Sequence, residues 1–156
     1  MKKTVCLLVL AMSLATSCAS LLGIQYSYAS FRAGSGMVRY TVFPDGNDLF
    51  LAVTLSSGQP LFFTENPVMT LQNFGGATIT LKGTALGNSV ALAGAESSTN
   101  YLSGQFKVEP EQVDFFRNGI RSVRITTVPA VHERSFRRDR IGRKLHKELL
   151  SGRRQF

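Results

Sequence analysis

Met37-Val38-Arg39-Tyr40-Thr41-Val42-Phe43-Pro44-Asp45-Gly46-Asn47-Asp48-Leu49-Phe50-Leu51-Ala52-Val53-Thr54-Leu55 is the stretch on which the fold turns. Val38, Tyr40 and Val42 alternate with Met37, Arg39 and Thr41. Leu49, Leu51, Val53 and Leu55 then repeat the same period of two. Side chains of a strand point alternately to opposite faces, so this period predicts two half-buried strands. Between them, Pro44 presets φ and Gly46 supplies a positive φ, which together make a turn. The unit is therefore a β-hairpin.

Working outward, the same grammar continues. Ser56-Ser57-Gly58-Gln59-Pro60 is a turn, Leu61-Phe62-Phe63 a short strand, and Asn66-Pro67 a break. Val68 to Phe74 and Ala77 to Lys82 flank Gly75-Gly76 as a second hairpin, with Ile79 and Leu81 on one face. Ser89 to Ala93 and Tyr101 to Val108 are further strands around a polar loop. The pattern then changes. Glu109 to Gly119 predicts a short helix, with Pro110 suited to the first turn, acidic residues at the N-terminus and Gly119 suited to the end. Ile120 to Val128 returns to strand and Pro129 ends it. A last helix is expected over 133–150, where Ile141, Leu145 and Leu149 form an apolar stripe against a basic face. Glu133/Arg137 and Asp139/Arg143 stand in the favourable acid-first i, i+4 order. Gly142 inside that helix costs about 1 kcal/mol relative to Ala, and marks either a close approach to the sheet or a kink.

Strands first and helices last predict a mainly β, α+β fold: an antiparallel β-sandwich or curled sheet with a short helix and a C-terminal basic amphipathic helix. Residues 37–156 form its single domain, preceded by a flexible lead-in over 20–36 that ends in Gly34-Ser35-Gly36.

Residues 1–19 carry an address. Lys2 and Lys3 precede an apolar run from Val5 to Ala15, followed by Thr16-Ser17-Cys18-Ala19. That order is a secretory signal, and its apolar run is shorter than the roughly 20 residues a membrane span needs. Two cleavage readings compete, with Ser27-Tyr28-Ala29 as a weaker third site. Leu14-Ala15-Thr16-Ser17-Cys18 resembles a lipobox, which would leave an acylated Cys18 as the N-terminus. Ser17-Cys18-Ala19 is alternatively an A-x-A-like site, which would leave a soluble chain. Either way Cys6 departs with the signal, so no disulfide is expected in the mature chain. The core rests on burial, with eleven Phe and four Tyr to fill it.

The net charge of +8 is unevenly placed. Residues 18–131 hold seven basic and seven acidic side chains, whereas 132–156 hold nine basic and three acidic. The nine are Arg134, Arg137, Arg138, Arg140, Arg143, Lys144, Lys147, Arg153 and Arg154. Such a surface reads either as the solvated face of a packed helix or as one that attracts polyanions, whether anionic lipid headgroups, lipopolysaccharide phosphates or acidic polysaccharide. Nucleic acid is disfavoured, because within this basic segment only Phe136 and Phe156 could supply stacking rings.

Other chemistries find little support. His132 and His146 lack H-E-x-x-H spacing, paired Cys or an acidic cluster, so they read as solvated or cap-region histidines and no metal is expected. Asp45 and Asp48 are turn formers, and Glu109 and Glu111 serve a helix N-terminus. Gly75-Gly76 lies between strands, not ahead of a helix, so it is no phosphate loop. No catalytic residue or cofactor is assigned, and a hydrolase is the least favoured reading.

The hairpin around Pro44-Asp45-Gly46-Asn47, the segment Asn118-Gly119-Ile120-Arg121-Ser122-Val123-Arg124-Ile125, and Arg138-Asp139-Arg140-Ile141-Gly142 leading into a basic helix together resemble small exported proteins of unknown function from Bacteroidota. Many of those are lipoproteins with a β-rich body. The resemblance implies a cell-envelope setting and carries no activity or catalytic residue. Lipoproteins bound for the surface often carry acidic residues soon after the Cys. Cys18-Ala19-Ser20-Leu21-Leu22-Gly23 has none, which favours the periplasm. The expected function is a non-enzymatic interaction or structural lipoprotein, partnered by the membrane and by an envelope protein or anionic glycan or lipid. The alternative is a soluble exported factor that binds an anionic ligand through the basic helix.

Overall fold

The computed structural model describes residues 29–92 and 98–153. Eight strands form one antiparallel sheet: β1 (Ala29–Ala33), β2 (Gly36–Asp45), β3 (Asp48–Ser57), β4 (Val68–Asn73), β5 (Thr78–Leu92), β6 (Ser98–Val108), β7 (Ile120–Thr126) and β8 (Val131–Ser135). Their order across the sheet is β1-β2-β3-β6-β5-β4-β7-β8. A 3₁₀ helix, Pro110–Asn118, joins β6 to β7, and an α-helix, α1 (Gly142–Arg153), follows β8.

The sheet curls until it nearly closes. His132 Nδ1 on β8 lies 3.4 Å from the carbonyl oxygen of Ala33 on β1. The rings of Phe31 and Phe136 meet edge to face at 5.6 Å across the same seam. Inside sit the alternating residues the hairpins supply: Val38, Tyr40, Leu49, Leu51, Val53, Leu55, Met69, Leu71, Phe106, Val123 and Ile125. Ile141, Leu145 and Leu149 cover this interior from the C-terminal side and are buried with it. The two edge strands meet at the seam through side-chain contacts and not through a backbone ladder.

Several expectations are met. The β2–β3 register pairs Asp45 with Asp48 around Gly46-Asn47, with Gly46 at φ 56°. The second hairpin forms around Gly75-Gly76, with Met69 opposite Leu81. The short helix before β7 is present as a 3₁₀ helix whose Glu109 and Gln112 close a capping box, and Gly119 ends it at φ 72°.

Others are corrected. Of the lead-in expected over 20–36, residues 20–28 lie outside the described residues, and 29–36 are ordered as strand and turn. β1 pairs with β2 through Ala33↔Gly36, and Gly34, at φ 57°, makes the tight reversal between them. The strands expected over 77–82 and 89–93 are joined in one strand, β5, which runs Thr78–Leu92 with a register shift between Ala85 and Gly87, while Ala93 lies outside the described residues. Leu61-Phe62-Phe63 contributes only a bridge between Phe62 and Val128.

The helix expected over 133–150 begins nine residues later, at Gly142, and runs to Arg153. Val131–Ser135 is instead β8, paired along β7 from Thr126↔Val131 to Ser122↔Ser135. The i, i+4 charge pair that favoured a helix here is worth only about 0.2–0.5 kcal/mol. A ladder of backbone hydrogen bonds to β7 outweighs it, since those groups would otherwise lie unpaired beside the core. Asp139 and Arg143 do meet, but the contact is a cap. The Asp139 carboxylate accepts hydrogen bonds from the backbone N–H groups of Ile141 (3.3 Å), Gly142 (2.8 Å) and Arg143 (2.9 Å). It also accepts one from Ile120 N–H at 3.0 Å, which ties the helix start to β7. Burial pushes this carboxyl's pKa up, but the four donors together outweigh it and hold the group below its ordinary value.

Gly142 is a close approach, not a kink. A Cβ there would stand against Ile120 N and within 2.6 Å of the Gly119 carbonyl carbon and Cα.

Candidate functional site

β1, β8, the 136–141 loop and the start of α1 enclose a cleft of about 520 Å³ on the seam of the sheet. Each wall has a local reason. On β1, Phe31 and Ala33 turn toward the core, so Ser30 and Arg32 face solvent. On β8, His132 is buried and Arg134 is exposed. The chain then buries Phe136 against Phe31, and Asp139 caps α1, which sets Arg140 and Lys144 on the far rim.

The rim thus carries Arg32, Arg134, Arg140 and Lys144, while the floor is made of Phe31, Tyr40, Phe136 and Ile141. Lys144 Nζ also pairs with Glu148 at 3.8 Å, a contact shared by a carboxyl whose pKa burial pushes up. The Tyr40 hydroxyl is held well above its usual range, first by burial and then by the nearby charges of Glu148 and Asp139. It therefore stays a neutral phenol on the floor of the cleft. Among the described residues no Asp, Glu, His or Cys lines this cleft. The arrangement offers positive charge above an aromatic floor, which is binding chemistry. Arg32, Arg134 and Arg140 around one opening repel one another, and an anion between them relieves that repulsion, whereas Lys144 is already paired with Glu148.

The nine basic residues marked by the sequence divide. Arg134, Arg140 and Lys144 come together at the cleft. Arg137 and Arg138 are exposed in the preceding loop, and Arg143 and Lys147 are exposed on α1, none of them lining the cleft. Arg153 is the last residue of α1, and Arg154 lies outside the described residues. Cys18 and the whole of 1–19 also lie outside them. The single basic helix face expected to carry the charge is therefore spread over a strand, a loop and a shorter helix. Arg32 is the residue that sequence reasoning missed. Its signal was present in Ser30-Phe31-Arg32-Ala33, whose alternation matches a strand entering the Gly34-Ser35 turn.

The histidines have structural settings. His132, expected to be solvated or in a cap region, is only 1% exposed within β8. Its Nε2 lies 3.2 Å from Thr127 Oγ1, and Thr127 Oγ1 donates to Ala130 O at 2.6 Å. It joins the β7–β8 turn to β1. His146 Nε2 lies 3.6 Å from Asp114 on the 3₁₀ helix, beyond hydrogen-bond reach. Among the described residues no three His, Cys, Asp or Glu side chains gather as a metal site. No helix among them is long and apolar enough to cross a membrane.

A second depression, about 430 Å³, lies on the outer face of β2, β3 and β6 beside the β5 bulge. Hydroxyl side chains and apolar ones such as Met37 and Ala52 line it, with Arg39 as its one cation among the described residues, and Leu86 stands 56% exposed at its edge. Its lower charge makes it the weaker candidate. No protein-family model, curated protein or solved structure matches this chain.

Proposed function

We propose that this protein is an exported, non-enzymatic cell-envelope module that binds an anionic ligand in the cleft on its sheet seam. The observation that carries the reading is the convergence of Arg32, Arg134, Arg140 and Lys144, from three separate elements and a loop, around one opening. Exposed arginines scattered over a surface attract anions weakly and without geometry. Cations gathered around a cleft with a low-dielectric floor focus the field and give a ligand fixed partners. The charge that matters is then a pocket rim and not a helix face.

The envelope setting rests on the signal-like residues 1–19 and on the lipobox-like run ending at Cys18. If Cys18 is acylated, Ala29 follows it by eleven residues. A fully extended chain of that length reaches at most about 40 Å, which would hold the cleft close to a bilayer surface. A soluble exported form, cut after Ala19, is the second reading, and it would place the same cleft free in the periplasm.

The test is retention on immobilised heparin or a phosphorylated resin across a salt gradient. Replacing Arg32, Arg134 and Arg140 by Gln should move elution to markedly lower salt. Replacing Arg137, Arg138 and Arg143 by Gln removes the same charge outside the cleft and should move it much less. Equal shifts from the two triple variants would reduce the binding to net charge and sink the cleft reading.

A further inference from the structure

We infer that the ligand of this cleft is an amphipathic anion, a single charged headgroup carrying an apolar chain or ring, and not an inorganic anion or a fully hydrophilic polyanion. The inference rests on the anion-binding reading above and adds the chemistry of the ligand's other half.

Three observations carry it. The first is size. At about 520 Å³ the cleft falls in the range of pockets for organic small molecules, roughly 300–1,000 Å³, and is far larger than one phosphate or carboxylate requires. The second is the separation of its surfaces. The cations stand on the rim, whereas the floor is Phe31, Tyr40, Phe136 and Ile141. A hydrophilic anion would leave that floor covered by water. An apolar group seated there displaces poorly bonded water and gains contact area. The third is what lies below. Phe31, Tyr40 and Ile141 also line a small apolar cavity of about 20 Å³ inside the sheet, together with Val53, Leu71 and Leu145. The floor therefore has slack beneath it. It sits where β1 and β8, the two ends of the strand order, meet through ring and side-chain contacts.

The geometry orders the complex. The headgroup lies between Arg32, Arg134 and Arg140, with Lys144 shared between the ligand and Glu148. The apolar part points down, past the Phe31 and Phe136 rings toward Ile141. Each methylene seated on the floor should tighten binding by about fourfold.

The experiment compares methyl phosphate with octyl phosphate, the latter below its micellar concentration. Calorimetry gives the affinities, and the methyl resonances of Ile141 report the floor, for the wild-type protein and for Arg140→Gln. The inference expects octyl phosphate to bind at least about tenfold more tightly, to shift the Ile141 signals where methyl phosphate does not, and to lose affinity in Arg140→Gln. Equal affinity for the two phosphates, both weakened in Arg140→Gln, would overturn the amphipathic ligand and leave the anion-binding reading standing. Tighter octyl binding without an Ile141 response, or indifferent to Arg140→Gln, would place the chain elsewhere and overturn the inference. If neither phosphate binds, the anion-binding reading itself falls.

Discussion

Replacing Gly142 by Ala separates two opposite expectations. On helix propensity alone, Ala in place of Gly stabilises a helix interior by about 1 kcal/mol, and by less at Gly142, the first residue of α1. The structure reverses the sign. The added Cβ would sit 2.6 Å from the Gly119 carbonyl carbon and Cα, where ordinary contact begins at 3.4 Å. Its neighbours are backbone atoms, which cannot rotate aside, so α1 must retreat from the 3₁₀–β7 junction by roughly 0.8 Å, the shortfall from ordinary contact. Overpacking of this kind costs about 1–3 kcal/mol. Retreat also stretches the 3.0 Å bond from Ile120 N–H to Asp139, and a hydrogen bond lost there adds about 1 kcal/mol. Against the propensity gain, the net is a destabilisation of about 2 kcal/mol, or a fall in Tm of about 8 °C for a domain of this size. Urea and thermal unfolding followed by circular dichroism read it directly. Gly58→Ala is the control, because nothing lies within 4 Å of a Cβ there and its φ needs no glycine. That variant should be neutral or slightly stabilising. A Gly142→Ala protein as stable as wild type, or more so, would refute the packing of α1 on Gly119-Ile120 and restore a longer, solvated helix.

Other outcomes follow from the same geometry. Asp139→Ala removes the acceptor of four backbone donors and should cost about 2–4 kcal/mol, combining a lost cap with an unpaired N–H at fully buried Ile120. Because the folded carboxyl lies below its ordinary pKa, this contribution is complete above about pH 4 and fades as pH falls through the folded value. The gap in urea midpoint between wild type and Asp139→Ala should therefore narrow in acid, and a gap independent of pH would exclude the cap. His132→Ala opens a cavity at the seam and removes the link to Thr127 and Ala33, which should cost about 3 kcal/mol by chemical denaturation. A change under about 0.5 kcal/mol, the range of an ordinary surface substitution, would mean the seam does not depend on it. Tyr40 is raised, so its neutral form stabilises the fold at and below pH 10 and that share is lost as pH climbs beyond it. Its phenolate absorbance should emerge only together with unfolding in alkali, and titration within a folded protein would contradict its burial.

Much of the sheet was legible because period-two alternation is a direct image of burial. Leu49, Leu51, Val53 and Leu55 are all nearly inaccessible, as their spacing demands. The C-terminal third was read less well, and the reason is the range of the forces involved. Ile141, Leu145 and Leu149 are buried as their stripe predicts. The residues before them were assigned to the same helix because local charge pairs favoured it, whereas their true state is set by an edge strand, β7, needing a partner. Asp139 shows the same limit. Its spacing to Arg143 is that of an ion pair and also that of a cap, and only the burial of Ile120 and Gly119 beside it decides between them. The cleft was half visible. Arg134, Arg140 and Lys144 stood within one basic segment, but nothing local links them to Arg32, about a hundred residues earlier. Sheet closure alone brings β1 to β8.

The central claim is that this closure builds a site. Its most direct test is a ¹H–¹⁵N chemical-shift map of the protein titrated with octyl phosphate. The account predicts saturable shifts centred on the backbone of 29–32, 134–136 and 140–144, with the outer face of β2 and β3 unmoved. Shifts spread over every exposed arginine, or gathered instead around Arg39, Tyr101 and Leu86, would contradict it.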